Sequence, residues 1–352
     1  MLSINIPAYT KPSGYQLSEL PKPEIQDPKD VLIKVHAASI NPIDVKKADG
    51  ILKFLQKDAF PYKIGYDCAG TVAEIGSGVT RCKVGDAVYV RLPEASRGAW
   101  SEYAKCPEEY IALKPQSLSF ESAASIPLAG MTALQALSKY DGDLCGKTVF
   151  VPAGLSGTGL YACQLAKHVF KAGKVIATVS TSKVAKVDEL LGEGTVDQII
   201  DYKKVNPKTA IEHGTVDFLF DTAGVAMDYL CLMRPKTSWI VSIATAPSGS
   251  QVQDFLERPV PIYVRLVLNF LDSIRKMRAR RYGVNYTYMF LHENGEDLDA
   301  MREYVEDGKL KTVVGTTVDM SDIQAVRAAC QVVYSNQGGL GKAVIKVTQS
   351  EN

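Results

Sequence analysis

The sequence predicts an α/β protein of two domains, one β-rich and one built on a doubly wound parallel sheet. Three observations carry that expectation. The stretch Lys147–Lys167, KTVFVPAGLSGTGLYACQLAK, reads as strand, glycine-punctuated turn and helix in immediate succession. After it come several apolar, β-branched runs with helical segments between some of them, the spacing that parallel strands need. Before it, residues 1 to about 120 hold ten of the seventeen prolines and break into short strands between glycine turns. A chain of 352 residues has room for a sizeable core in each domain.

In the first region Val31 to Ala37 (VLIKVHA) alternates as a strand, and Gly70 to Ile75 and Ala87 to Val90 are further short strands. The pattern suits a small, partly closed barrel. Ser117 to Lys139 is rich in small residues, reads as helix and leads into the middle of the chain. There Thr148 to Pro152 is short, apolar and β-branched, a buried strand. Gly154, Gly157 and Gly159 follow within six residues, and Leu160, Cys163, Leu165 and Ala166 then fall on helical spacing.

That order is what a dinucleotide-binding unit requires, because turn N–H groups and a helix N-terminus together meet a pyrophosphate. The glycines depart from G-x-G-x-x-G spacing, so the turn by itself fits an ordinary βα connection equally well. Context favours the nucleotide. Apolar runs recur at Lys174–Val179, Gln198–Ile200, Val216–Phe220 and Trp239–Ile243, as a parallel sheet demands.

Composition narrows the class further. A net charge of +1 gives no electrostatic reason to expect nucleic acid or an anionic membrane as partner. The seven cysteines are scattered with no C-x-x-C pair, which suits free thiols in a reducing compartment. No signal peptide and no membrane-spanning run is expected, and the default setting is cytoplasmic.

The run Gly65 to Val90, GYDCAGTVAEIGSGVTRCKVGDAVYV, carries a resemblance. With Asn41-Pro42-Ile43-Asp44, the segment Pro127 to Ala133, Asp221-Thr222-Ala223-Gly224 and the closing Gly338 to Val347, it resembles the medium-chain dehydrogenase/reductase superfamily. The likeness is to the zinc-free quinone and enone reductase branch, including fungal-type enoyl reductases. It implies a β-rich, GroES-like catalytic domain split around a Rossmann cofactor domain. The expected parts are residues 1–120, a Rossmann domain over 121–290, and 291–352 completing the catalytic domain. The family usually has glycine where Ala153 and Ser156 stand, so the turn is expected to be kept with altered phosphate contacts. Residues of about 251–286 are a departure, inserting an amphipathic, basic stretch before an expected last strand at Tyr286–Leu291. That stretch is read first as packing within the core or at an interface; capping the cleft or touching a membrane surface remain open.

No metal is expected. Zinc members of the superfamily carry a His-Glu pair where this chain has Tyr66-Asp67, and an early cysteine ligand that SINPID (39–44) lacks. Only Cys106 stands where a four-cysteine structural lobe would need closely spaced thiols, and the four histidines are dispersed. Without a Lewis acid, a C=C conjugated to a carbonyl is a better hydride acceptor than a simple ketone. The resemblance places Lys46 near the nicotinamide, with a solvated surface lysine as the alternative. Tyr66 is expected to line the cleft or simply to pack. Asp44 is a candidate acid/base group, although holding the loop suits it better. Tyr288 faces either substrate or core.

The cofactor expectation is NADPH. NAD enzymes commonly place Asp or Glu at the end of the second strand, whereas this chain reads VSTSKVAK over 179–186. Ser180 and Lys183 suit a 2′-phosphate, and Tyr202 matches a tyrosine that stacks near it in similar reductases. A helix cap and a solvated lysine are the plainer alternatives for the first two. The remaining expected cofactor residues are Pro42, Thr132, Ser156, Gly157, Thr158, Gly341 and Lys342. The expected partner is a small enone, quinone or enoyl substrate. Arg275–Arg281 (RKMRARR) also suits an acidic acyl-carrier protein, as for a stand-alone trans-enoyl reductase of polyketide assembly. A non-catalytic NADPH-binding protein is the reading from a different class. A monomer or a homodimer is expected.

Overall fold

An eleven-residue strand, β1 (Asp30–Ile40), organises the first part of the chain in this computed structural model, which describes residues 1–56, 58–336 and 339–347. Gly338, at the start of the closing motif, lies outside the described residues. Val31, Ile33, Val35, Ala38 and Ile40 of β1 are all buried in one apolar cluster. The strand pairs antiparallel with β2 (Asp67–Ile75), with Tyr103–Pro107 and with Lys342–Lys346. Register shifts at Leu32/Ile33 and Val35/Ala37 interrupt the β1–β2 ladder and bend the sheet. Together with β3 (Ala87–Arg91), Ile111–Leu113 and Val314–Asp319 these strands form a seven-stranded sheet. The chain thereby forms two units, Met1–Met131 with His292–Asn352, and Thr132–Leu291.

Beyond β1 the chain turns at Asn41 into α1 (Pro42–Ala48), where Pro42 at the first helical position has the φ a helix needs. Gly65 is required by its surroundings. Its φ is +101°, and a Cβ there would meet the Trp100 indole at 2.3 Å. The buried Trp100 donates from Nε1 to the Ser39 carbonyl at 3.0 Å, which fixes the end of β1.

The second unit is a six-stranded, wholly parallel sheet. Its strands are β4 (Thr148–Val151), β5 (Lys174–Val179), β6 (Gln198–Asp201), β7 (Phe218–Asp221), β8 (Trp239–Ser242) and β9 (Asn285–Tyr288). Their order is β6-β5-β4-β7-β8-β9, so the strand order reverses between β4 and β7. The crevice beyond the carboxyl ends of those two strands is where open α/β sheets bind ligands. Thr222, just past β7, donates to the Pro152 carbonyl just past β4 at 2.9 Å and ties the two ends together.

Several boundaries differ from the sequence expectation. The helix expected through Ser117–Lys139 is two helices, Phe120–Ala124 and α2 (Pro127–Leu137), because the residue before a proline disfavours helical φ/ψ. Val216 lies ahead of β7. The last strand ends at Tyr288 rather than Leu291; Met289 N–H still donates to the Ser242 carbonyl at 3.0 Å, and the Tyr288 carbonyl accepts from Gln251 Nε2 at 2.8 Å. The segment expected as an insertion holds two helices, α3 (Gly249–Leu256) and α4 (Ile262–Arg281). Among the described residues no helix is long and apolar enough to cross a membrane.

The glycine turn after β4 shows why its residues are small. A Cβ on Gly154 would lie 2.6 Å from the Ala177 Cβ, and one on Gly159 would lie 2.3 Å from the Ala153 carbonyl oxygen. Ala153 itself sits at φ +58°, where an L-residue is strained by about 1–2 kcal/mol. Ala153→Gly should therefore raise the unfolding free energy, by about 1 kcal/mol after the extra chain entropy of glycine is counted. Gly154→Ala should lower it by about 1–3 kcal/mol through overpacking. Urea unfolding of the two variants checks the opposite signs.

Candidate functional site

The candidate residues fall on both units. In the second unit the turn after β4 leads into the helix Gly159–Gln164. Ser156 Oγ accepts from Gly159 N–H at 3.1 Å, closing the turn on itself. The N–H groups of Gly157 and Thr158 find no backbone acceptor among the described residues. Those are the groups a dinucleotide phosphate would take. The residues present fit such a group.

On the neighbouring strands, Tyr202 N–H donates to the Val179 carbonyl at 3.2 Å and brings Tyr202 to the carboxyl end of β5. Ser180 and Lys183 follow that same strand end, so these three expected residues share one corner. Lys183 is half-buried, and burial, with Lys186 beside it, lowers its pKa from the ordinary value. Tyr202 is 47% exposed, with an open ring that Lys203 approaches at 5.2 Å. No carboxylate occurs between Val179 and Val187. The nearest in sequence on the adjacent strand is Asp201, which accepts from Lys203 N–H at 3.0 Å and faces Lys204 at 3.9 Å.

In the first unit a buried polar cluster surrounds the start of α1. Asp67 accepts from Ser39 Oγ and Asn41 Nδ2, both at 2.9 Å, and from Leu128 N–H at 3.1 Å. Asn41 in turn accepts from the Lys342 ammonium, which also reaches the Ile40 carbonyl at 3.4 Å. Lys342 thus supports the Ser39–Asn41 turn with its side chain. Burial lowers its pKa against the pull of Asp67 and Asp44, and burial raises that of Asp67. Gly341 is needed beside it, since its φ is +61° and a Cβ would meet the Val313 carbonyl oxygen at 2.2 Å.

Asp44 accepts from Asn41 N–H at 2.6 Å through one oxygen, while its other oxygen has no hydrogen-bond partner among the described residues. Burial, then the charge of Asp67, pushes its carboxyl up to about 7. Its accepted bond from Asn41 N–H closes the turn into α1. Pro42 is exposed, Thr132 is buried on the helix Pro127–Leu137, and Lys46 is half-buried on α1.

Tyr66 is buried, and its hydroxyl donates to Glu94 at 2.5 Å. Glu94 also takes the Lys47 ammonium and Arg97 at 2.8 Å. Burial would raise Glu94, but Lys47, Tyr66 and Arg97 outweigh it and hold the carboxyl below its usual range. Lys47 lies deeper, its side chain 2% exposed against 40% for Glu94, so burial lowers its pKa despite the pairing. Burial also pushes the Tyr66 phenol well above its ordinary value, with Tyr62 and Glu94 adding to the effect. Tyr66 therefore stays protonated at any working pH. The sequence reading missed Glu94 and Lys47. Lys47 falls three residues after inward-facing Asp44, a helical phase that would have flagged it.

Among the described residues no three His, Cys, Asp or Glu side chains gather to hold a metal. A cavity of about 850 Å³ in the second unit lies at the amino ends of the strands, around Lys147, Asp217, Arg234 and Trp239. That is the opposite end of the sheet from the glycine turn.

Residues 27–116 match the alcohol dehydrogenase GroES-like domain family, and residues 195–345 match the zinc-binding dehydrogenase family. A 2-methylene-furan-3-one reductase of Solanum lycopersicum is 34% identical over 305 residues, 84% of this chain and 66% of that protein. An NADPH-dependent alkenal/one oxidoreductase, chloroplastic, of Arabidopsis thaliana is 33% identical over 304 residues, 84% of this chain and 67% of its own length. The chain belongs to the medium-chain dehydrogenase/reductase superfamily. It spans about two thirds of the length of both plant relatives. The quinone oxidoreductase from Coxiella burnetii has the same fold, with a TM-score of 0.80, 29% identity and 99% of both chains covered.

The Asp44 carboxyl gives a pH test. Unfolded, it titrates near 3.9. Between that value and about 7 the folded chain holds a proton that the unfolded chain has released, so its contribution to stability is lost as pH rises. Asp44→Asn keeps the acceptor for Asn41 N–H and removes the titration. Across pH 4 to 7 the wild type should lose stability relative to this variant, by up to about 1.4 kcal/mol per pH unit. Urea unfolding at several pH values measures the difference.

Proposed function

We propose that this chain is an NADPH-dependent oxidoreductase that delivers hydride to the β-carbon of an α,β-unsaturated carbonyl or a quinone, without zinc. The corner formed by Ser180, Lys183 and Tyr202, with no acid along 179–187, carries the reading. The names of the two plant reductases support the substrate class, and the Arabidopsis name supports the cofactor. A cytoplasmic setting belongs to the proposal, supported by seven free thiols.

Gly157 and Thr158 would hold the pyrophosphate by backbone N–H groups, and Ser180, Lys183 and Tyr202 would meet the 2′-phosphate. Bound NADPH supplies the hydride. Lys46, half-buried on α1, is the proposed donor to the developing enolate oxygen, and the proton for the α-carbon comes from water. Tyr66 is a positioning residue, since its hydroxyl is committed to Glu94. Asp67 is likewise committed to Ser39, Asn41 and Leu128, so neither residue of the Tyr66-Asp67 pair is left to ligate a metal. Loss of NADPH absorbance with a simple enone tests the activity, and no turnover across a panel of enones and quinones would leave a non-catalytic NADPH-binding protein.

Cofactor choice is tested at Lys183. A charge-assisted hydrogen bond is worth about 1.5–3 kcal/mol, or roughly ten- to hundredfold in affinity. Lys183→Ala should weaken NADPH by about that factor and leave NADH nearly unchanged. Paired titrations decide it, and equal affinities in the wild type would overturn the assignment. For the metal, purified protein should carry far less than one zinc per subunit and keep its activity in chelator; zinc needed for turnover refutes the proposal.

A further inference from the structure

Among the described residues one face of α4 is left without a partner. Seven of the seventeen exposed large apolar side chains among the described residues lie on this helix. Ile262, Leu266, Phe270 and Met277 recur at helical spacing on one side, with Tyr263 and Val267 beside them; Phe270 is 66% exposed. The stripe runs along the helix to an exposed basic end, Arg278, Arg280 and Arg281. From Phe255 to Tyr282 seven basic residues stand against two acids. One of those acids, Asp272, is buried and already paired with Lys276 at 2.7 Å. A stripe of apolar side chains continuous with unneutralised arginines is thus open to solvent.

We infer that this face docks on an anionic lipid surface, a role beyond the proposed reductase activity. Charge complementarity selects that occupant. A helix lying in the interface buries its apolar side among acyl chains while arginines reach lipid phosphates. A second copy fits worse. A two-fold pair either runs α4 parallel, which sets the two Arg278–Arg281 ends together, or antiparallel, which lays each over the other copy's Ile262 end, where Arg258 already offsets Glu257. An acidic carrier protein would satisfy the arginines but leave the stripe from Ile262 to Leu271 in water. The whole-chain charge of +1 does not oppose docking, because screening beyond about 10 Å leaves the local patch to act alone.

Co-sedimentation with vesicles tests the inference. The wild type should bind phosphatidylcholine vesicles containing phosphatidylserine, bind pure phosphatidylcholine far less, and be released by high salt. Replacing Arg278, Arg280 and Arg281 by Gln should weaken binding by roughly two orders of magnitude, at about 1 kcal/mol for each basic residue. The double variant Leu266→Glu, Phe270→Glu should abolish binding, with circular dichroism unchanged because both side chains are exposed. Three results overturn the inference: no wild-type binding to anionic vesicles, binding untouched by the double variant, or no vesicle binding together with a dimer in solution that the double variant dissociates. Salt-sensitive binding of an acidic acyl-carrier protein in place of vesicles also overturns it.

Discussion

A single buried carboxylate joins the discontinuous unit. Asp67 opens β2 and collects donors from the end of β1, the turn before α1 and the helix at Leu128, while Asn41 passes the connection on to Lys342. Removing a charge from water costs several kcal/mol unless hydrogen bonds and an opposite charge replace the lost solvation. Here both are supplied from segments that are distant in sequence. The cost of leaving any of these groups alone holds the segments in register. The same burial acts on Asp44, whose carboxyl is raised first by its removal from water and then by the charge of Asp67, against the pull of Lys342 and Arg91.

The second unit rests on a steric constraint. Side chains are excluded at Gly154 and Gly159 by Ala177 and by the turn's own backbone, which draws helix and sheet together. Between them, the N–H groups of Gly157 and Thr158 have no backbone acceptor among the described residues. The chain tolerates Ala153 in a left-handed conformation to keep that geometry, so the turn survives without the glycine that the family usually has there.

Much of this was legible in the sequence, for definite reasons. Runs such as VLIKVHA, KVIATV and WIVSI are β-branched and apolar, and each lies within or almost coincides with an observed strand. Ser180 and Lys183 were singled out by the absence of an acid after KVIATV, and Tyr202 by resemblance; the observed backbone bond from Tyr202 N–H to the Val179 carbonyl shows that both segments follow neighbouring strand ends. What stayed hidden depends on tertiary contact. Tyr66 and Glu94 are 28 residues apart and Lys47 and Glu94 are 47 apart, with no spacing rule to connect them. Tyr288, the last residue of β9, gives its carbonyl to a glutamine side chain from α3, a contact made across 37 residues, and the helix after the glycine turn continues as a π-helix at Leu165–Val169 with no sequence signal.

The split of the first unit has a consequence for biosynthesis. Asn41 and Lys342 are 301 residues apart, so at about 5–20 residues per second the ribosome separates them by roughly 15–60 s. Throughout that interval the β1 edge at Ala37–Ile40, which later pairs with Ala343–Lys346, stays open. The contiguous stretch Thr132–Leu291 emerges whole in the meantime. An unpaired edge of apolar strand is a template for intermolecular pairing, so the nascent chain is most exposed to aggregation, and most in need of a holdase, while its other unit is already complete.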